Sequence, residues 1–342
     1  MKALVLEEYN KLVYKEMPDP HIESDEVLVR VRACGICGSD VHGMDGSSGR
    51  RKPPLIMGHE ASGEIVETGS EVQGWQAGDR VTFDSTIYRL DDWYTRKGMY
   101  NLSDGRMVLG VSPEEYKRHG AFAELVAVPQ HILYRIPDGV TYTQAAMVEP
   151  AAVALHSVEL AAVSLNDTAV VMGAGMIGLF IVQALRLAGC GTLIAIDTDQ
   201  DRLDLAVKLG ADAGWIASQD IPDRIKTTTS GRGADLAFEA VGIEQTVNTA
   251  IESVRRGATV TLVGNLQPEV KMPLQKIVTQ QLKLQGSCAI AGEYPAVLDM
   301  IQRGKLNVDA ILSAEAPLAD GAEWFQRLYN KEKGLLKVVL IP

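Results

Sequence analysis

The chain has 342 residues, enough for two domains that each bury a core. Apolar residues make up 46% and charged residues 23%, ordinary usage for a water-soluble globular protein. The net charge is 33 − 44 = −11, with no basic run longer than the three residues Arg50-Arg51-Lys52 and no basic amphipathic stretch, which argues against nucleic acid or an anionic membrane as a partner.

The N-terminal MKALVLEEYN has a short apolar run broken by Glu7 and reads as a first strand, not a signal peptide. EVLVRVRA (26–33) alternates strictly, with Val27, Val29 and Val31 on one face and Arg30 and Arg32 on the other. SGEIVET, RVTF and FAELVAV are further short β-rich runs punctuated by Gly and Pro turns. Many short strands over the first 150 residues predict a barrel-like β domain.

Two motifs in this region carry chemistry: CGICGSDVH (34–42) and GHE (58–60). Cys37, His59 and Glu60 supply a thiolate, an imidazole and a carboxylate, which can fill three positions of a tetrahedral zinc and leave the fourth open. Taken alone, Cys34 and Cys37 as a C-x-x-C also suit a redox pair or half of a structural zinc site. The only other cysteines are Cys190 and Cys288, too few for a disulfide scaffold, so a reducing cytoplasm is expected.

IYRLDDWYTRKGMYNLSD (87–104) has the spacing of a metal lobe without its ligands. Arg89, Asp92, Thr95 and Ser103 stand where four thiolates could hold a zinc, and only Asp92 is a strong ligand. The lobe is expected to fold around Tyr88, Trp93, Tyr94 and Leu102, with Arg89 paired to a nearby carboxylate.

After SLNDT (164–168) the rhythm becomes strand then helix: AVVM, MIGLFIVQALRLAG, TLIAID, QDRLDLAVKLG, DLAFEA, EQTVNTAIESVRR, ATVTLVG. Such alternation predicts a doubly wound parallel sheet. The uncharged run 169–182 is shorter than the roughly 18 residues a membrane span needs. Gly173, Gly175 and Gly178 form G-x-G-x-x-G between a strand and a helix, and Asp197 ends the next strand. That context marks a dinucleotide fingerprint. Gly173 permits the turn, Gly175 lets pyrophosphate approach, and Gly178 allows close helix packing. Asp197 can accept the ribose hydroxyls of NAD and would repel a 2′-phosphate, so NAD is expected rather than NADP.

CGICGSDVH, MGHEASGEIVETG, GDRV, VEP and VMGAGMIG, in that order, resemble the zinc-dependent medium-chain alcohol and polyol (sorbitol-like) dehydrogenases along nearly the whole chain. The resemblance implies an α/β architecture: a GroES-like β-barrel catalytic domain (1–154), a Rossmann NAD-binding domain (155–286) and a return to the catalytic domain (287–342). It implies one catalytic zinc held by Cys37, His59, Glu60 and Glu149, with Glu60 at the catalytic position and Cys34 a small buried residue. Ser39 and His42 match the proton relay, which in the family runs through the cofactor ribose. Ile177 lies in the matching phosphate loop, Arg202 matches the residue near the adenosine, and Val263, Gly264, Ala289 and Ile290 match the stretches along the nicotinamide. The four cysteines of the family's structural zinc match Arg89, Asp92, Thr95 and Ser103, so no structural zinc is expected.

The resemblance thus implies hydride transfer between a secondary alcohol (a polyol, sugar or related compound) and NAD by a homo-oligomer, dimer or tetramer. Mammalian sorbitol dehydrogenases carry an aromatic residue where this chain has Gly43 and an Arg-Tyr pair where it has Ala289-Ile290, which puts sorbitol itself in doubt. A threonine dehydrogenase-like enzyme is the alternative within the class. A non-catalytic NAD(H)-binding sensor or structural protein is the alternative outside it.

Overall fold

The alternation in EVLVRVRA becomes strand Glu26–Gly35, with its valines buried and Arg30 and Arg32 exposed. It belongs to a computed structural model that describes residues 1–111 and 118–342. The strand pairs antiparallel with Glu60–Thr68 in a register that sets Cys34 opposite Ala61 and Gly35 opposite Glu60. That register brings the cysteine motif and the GHE motif to the same end of the sheet. Arg80–Phe83 and then Leu133–Arg135 extend the sheet on one side, while Leu125–Pro129 pairs with the first half of Glu26–Gly35. Lys337–Ile341 is antiparallel to Glu26–Gly35 on the other side, with Val339 opposite Gly35, and Leu312–Pro317 runs parallel to it. The C-terminal segment therefore completes the first sheet.

A smaller sheet of Lys2–Glu8, Lys11–Glu16 and Leu55–Ile56 carries the N-terminus, and a bridge from Ala3 to Ala123 ties it in. Leu4, Leu6, Val29, Phe83, Phe122 and Phe325 belong to the core of this β-rich unit.

The second unit is a six-stranded sheet, parallel throughout. Its spatial order is Ala213–Ile216, Thr192–Asp197, Thr168–Met172, Ala234–Glu239, Val254–Leu262, Lys283–Gly286. Numbered within the unit this is 3-2-1-4-5-6, the doubly wound order whose reversal point lies beside the first strand. The run 169–182 splits there into strand Thr168–Met172 and helix Met176–Ala188, which ends on a left-handed Gly189 (φ 96°). Among the described residues no helix is long and apolar enough to cross a membrane.

The units comprise residues 1–149 with 290–342, and residues 150–289. The sequence places the divisions at 154 and 286. Helix Val148–Leu160 runs without a break across the first division, and Pro150, the first residue of the second unit, sits inside its first turn instead of ending it. Glu149 falls with the β-rich unit, as does Ile290, while Ala289 falls with the parallel sheet.

Candidate metal centre and nucleotide loop

Cys37 stands two residues beyond the end of strand Glu26–Gly35, as the N-cap of helix Gly38–Met44. Glu60 opens the partner strand Glu60–Thr68, and His59 immediately precedes it. The candidate ligand atoms of Cys37, His59 and Glu60 all lie within 4.8 Å of one another. Glu60 is fully buried; its Oε2 meets the ammonium of the equally buried Lys337, whose Nζ also donates to Ile36 O at 3.0 Å. Glu60 Oε1 is buried and has no partner among the described residues. A buried carboxylate oxygen left unpaired is costly, and a cation between these three side chains would satisfy it. A Cβ at Gly35 would sit 2.5 Å from Glu60 Oε2 and 2.7 Å from Lys337 Cε, so a side chain there would displace this ion pair.

The electrostatics of the cluster call for positive charge. Burial would raise the Cys37 thiol, but the adjacent His59 outweighs it and brings the thiol down to about 6. Burial would lower His59, but Asp40 and Cys37 raise it to about 10. Glu149 has a partly exposed edge yet dense surroundings; burial lifts its carboxyl to about 8, opposed by His59 and reinforced by Cys37. Glu149 lies outside the tight three-residue group but feels its charge. His59 and Glu149 keep protons beside a thiolate where a metal cation could balance the charge, and the sulfur, nitrogen and oxygen donor set suits zinc. Asp40, also fully buried, lies with Oδ1 3.4 Å from His59 Nδ1, an ion pair when the ring is protonated. Burial opposes its charge, but His59 and Arg51 hold it well below the usual carboxylate range.

Ser39 and His42 are exposed on helix Gly38–Met44, three residues apart and so on one face. Ser39 Oγ donates to Cys37 Sγ at 3.2 Å. Cys34 is fully buried on the strand, and burial pushes its thiol well up.

The lobe is organised differently from the sequence expectation. Trp93 and Leu102 are 60% and 42% exposed and form no core. Arg89 does pair with a carboxylate, that of Asp91, in the open. The hub is Asp92, which accepts from Tyr94 N (2.8 Å) and Thr95 N (3.2 Å) on one oxygen and from Asp104 N (3.3 Å) on the other. Arg89 N reaches Ser103 Oγ at 3.4 Å. Tyr100 pins the lobe to the barrel: its hydroxyl donates to buried Asp84 at 2.7 Å and its ring stacks on Tyr88 at 4.4 Å. A side-chain carboxylate thus gathers the turn amides of a lobe that has no thiolates.

In the second unit, Gly173 adopts φ 94°, and Gly178 has no room for a side chain because its Cβ would overlap Gly173 O. A Cβ at Gly175 would meet open space, at the N-terminus of helix Met176–Ala188, where free N–H groups can receive a pyrophosphate. Ile177 is half-buried in the first turn of that helix. Asp197 accepts from Ala174 N (2.6 Å) and Asp199 N (3.0 Å), so it braces the glycine loop from the end of the adjacent strand. Arg202 is in the first turn of helix Gln200–Lys208, which Asp199 caps. Val263 and Gly264 both donate to Glu239 O at 2.9 Å. Ala289 has φ 53°, and Ile290 is buried.

Residues 23–138 match the alcohol dehydrogenase GroES-like domain, and residues 177–303 match the zinc-binding dehydrogenase family. The sorbitol dehydrogenase of Bacillus subtilis (strain 168) is 32% identical over 348 residues, spanning 100% of this chain and 97% of that protein. The chain belongs to the zinc-dependent medium-chain polyol dehydrogenases. Among solved structures, the alcohol dehydrogenase of Thermus sp. ATN1 superposes with a TM-score of 0.94 at 30% identity, over 100% of this chain and 99% of that one. A putative zinc-binding dehydrogenase of Sinorhizobium meliloti 1021, bound to NADP, gives 0.91 at 29% identity, over 100% and 99%.

This dehydrogenase is therefore an oxidoreductase that uses zinc and a nicotinamide cofactor on a small alcohol. Sequence reasoning missed three charged residues at its metal centre. Asp40 stood inside the quoted motif and could have been read as the carboxylate behind His59. Arg51 sat in the apparently loop-like RRKPP, and Lys337 is 277 positions from its partner Glu60, a pairing no local pattern encodes.

Proposed function

We propose that this dehydrogenase moves hydride between a secondary alcohol, such as a polyol or sugar, and NAD. The reading rests above all on the cluster of Cys37, His59 and Glu60, with its lowered thiol and its unpaired Glu60 oxygen. These three and Glu149 would hold one zinc, which when bound supplies Lewis-acid polarisation of the substrate oxygen. NAD supplies the hydride acceptor. Gly173, Gly175, Ile177 and Gly178 would cradle the pyrophosphate, and Asp197 and Arg202 would meet the adenosine half. Val263, Gly264, Ala289 and Ile290 would lie along the nicotinamide.

Ser39 accepts the hydroxyl proton of the alcohol, and His42, exposed on the same helix face, carries it to solvent. Asp40 keeps the His59 ring in place, and Lys337 holds one oxygen of Glu60. The lobe has no thiolate at its four matching positions and its Asp92 carboxylate is taken by three backbone amides, which supports a reading of one zinc per chain. The four cysteines are all free, which fits a reducing cytoplasm. Leu274 and Val278, about 70% exposed beside the edge strand Lys283–Gly286, suit a homo-oligomer.

The test is absorbance of NADH with a panel of polyols, sugars, simple secondary alcohols and threonine, with and without a chelator. Chelator-sensitive NADH formation with a polyol or sugar is expected. Preference for threonine would move the reading to the threonine branch. NADH binding without turnover on any compound would overturn catalysis.

A further inference from the structure

Arg51 is a buried arginine, 2% exposed, placed directly behind the relay helix. Its Nη2 donates to Asp40 Oδ1 at 2.7 Å and to Ser39 Oγ at 3.1 Å. Its stem packs on Gly43, where a Cβ would come within 2.7 Å of Arg51 Cδ and 2.9 Å of Cγ. The absence of a side chain at position 43 and the presence of an arginine at position 51 are therefore one arrangement. Arg51 Nε is buried with no partner among the described residues. An arginine that leaves a buried donor unpaired is a poor packing solution, and a counter-charge for Asp40 alone would not need to reach Ser39.

The chemistry follows from the donor count. A serine hydroxyl has one proton and two lone pairs. A guanidinium has only donors, so Arg51 must occupy one lone pair of Ser39 Oγ and cannot take its proton. The hydroxyl proton is turned away from Arg51, and in this structure it points to Cys37 Sγ. One lone pair remains for an incoming alcohol. We propose that Arg51 is a positioning residue of the proton relay: it fixes the direction in which Ser39 accepts and releases protons. One proton enters Ser39 Oγ from the alcohol on the free lone pair, and the proton Ser39 already carried leaves to the next acceptor toward solvent, so the balance at Ser39 is zero. The hydroxyl proton then turns back from the alcohol side before the next turnover, and in both positions Arg51 faces a lone pair. The proposal rests on the reading of Ser39 as relay hydroxyl given above.

Arg51→Lys keeps the charge beside Asp40 but replaces the planar fork by a single flexible point donor. It is combined with Ser39→Ala in a double-mutant cycle on the zinc-loaded full chain. In the otherwise unchanged chain, Arg51→Lys is expected to lower kcat roughly ten- to hundredfold, the scale of one charge-assisted hydrogen bond. The KM for NAD should stay within about twofold, because the nucleotide loop belongs to the other unit. In the Ser39→Ala background the same change should cost less than about twofold, because the group Arg51 acts through is gone. Zinc per chain, measured on each purified variant, should not change. Equal losses in both backgrounds, or loss of zinc from Arg51→Lys, would show that Arg51 only supports Asp40 and would overturn the proposal. Should Arg51→Lys not fold, Arg51→Gln, which keeps an N–H donor but not the charge, carries the same cycle with the same deciding outcomes. An unmodified chain that turns over no alcohol fails the relay reading itself, an outcome distinct from an active chain with additive losses.

Discussion

Replacing Lys337 by Met removes the ammonium that meets Glu60 Oε2 and leaves an apolar chain of similar length in its place. Both partners are fully buried, and removing one member of such a pair costs about 3–5 kcal/mol because the other charge is left uncompensated. Ile36 O also loses the donor at 3.0 Å, which adds about 1 kcal/mol. Lys337 is itself under strain, since burial lowers its ammonium to about 8, against Cys37 and Asp40 which raise it. That strain is relieved in the variant, so the lower end of the range is the expected value. Zinc beside Glu60 would neutralise the same carboxylate, and the loss should therefore be smaller in zinc-loaded protein than in chelated protein. The assay is urea unfolding of Lys337→Met and the parent chain, each with zinc and with chelator, followed by a probe in the β-rich unit such as Trp324. Adding Glu60→Gln to Lys337→Met should recover part of the loss under chelation, because position 60 then carries no uncompensated charge. A variant as stable as the parent in chelator, or a loss that zinc does not reduce, would refute the account of Lys337 as a placeholder for cationic charge on Glu60.

Elemental analysis of protein purified without added metal should give close to one zinc per chain; a reproducible value near two would mean that the lobe binds metal despite its Asp92 hub. Asp197→Ala should narrow the preference for NAD over NADP by roughly tenfold, measured as the ratio of kcat/KM values, since it removes the carboxylate that opposes a 2′-phosphate. In chelated protein Cys37 should alkylate with a midpoint near pH 6, the thiolate being the nucleophile, while buried Cys34 stays unmodified; peptide mapping after iodoacetamide reads both, and zinc should protect Cys37. Cys37→Ala should abolish turnover and zinc retention, whereas Cys34→Ala should keep both at a modest cost in stability; loss of zinc from both would make Cys34 a ligand.

The parts of the fold that were legible in the sequence are those encoded by short-range repetition. Val27, Val29 and Val31 reported a half-buried strand through period two, and three glycines between a strand and a helix reported a tight strand-to-helix turn through steric need. Asp197 was legible for the same reason, since the fingerprint fixes its distance from the loop. The first domain division was not legible, because helix Val148–Leu160 continues through it. The centre of the lobe was misjudged because aromatic residues suggest a core by composition alone. Whether Trp93 is buried depends on which backbone amides need a partner, and Asp92 meets that need at the turn.

The charged layer behind the candidate metal ligands was hidden for a physical reason. A buried ion pair requires complementary charge at short range in space and imposes no spacing along the chain. Lys337 reaches Glu60 because the C-terminal strand pairs beside Glu26–Gly35, and Arg51 reaches Ser39 because position 43 is a bare glycine. The ligands themselves sit at strand ends in motifs that any reader can find, while the residues that set their charge come from elements that arrive by sheet topology. Three shifted groups around one point, Cys37 lowered and His59 and Glu149 raised, follow from that arrangement: the scaffold encloses negative charge and leaves a position where only a proton or a metal cation can balance it.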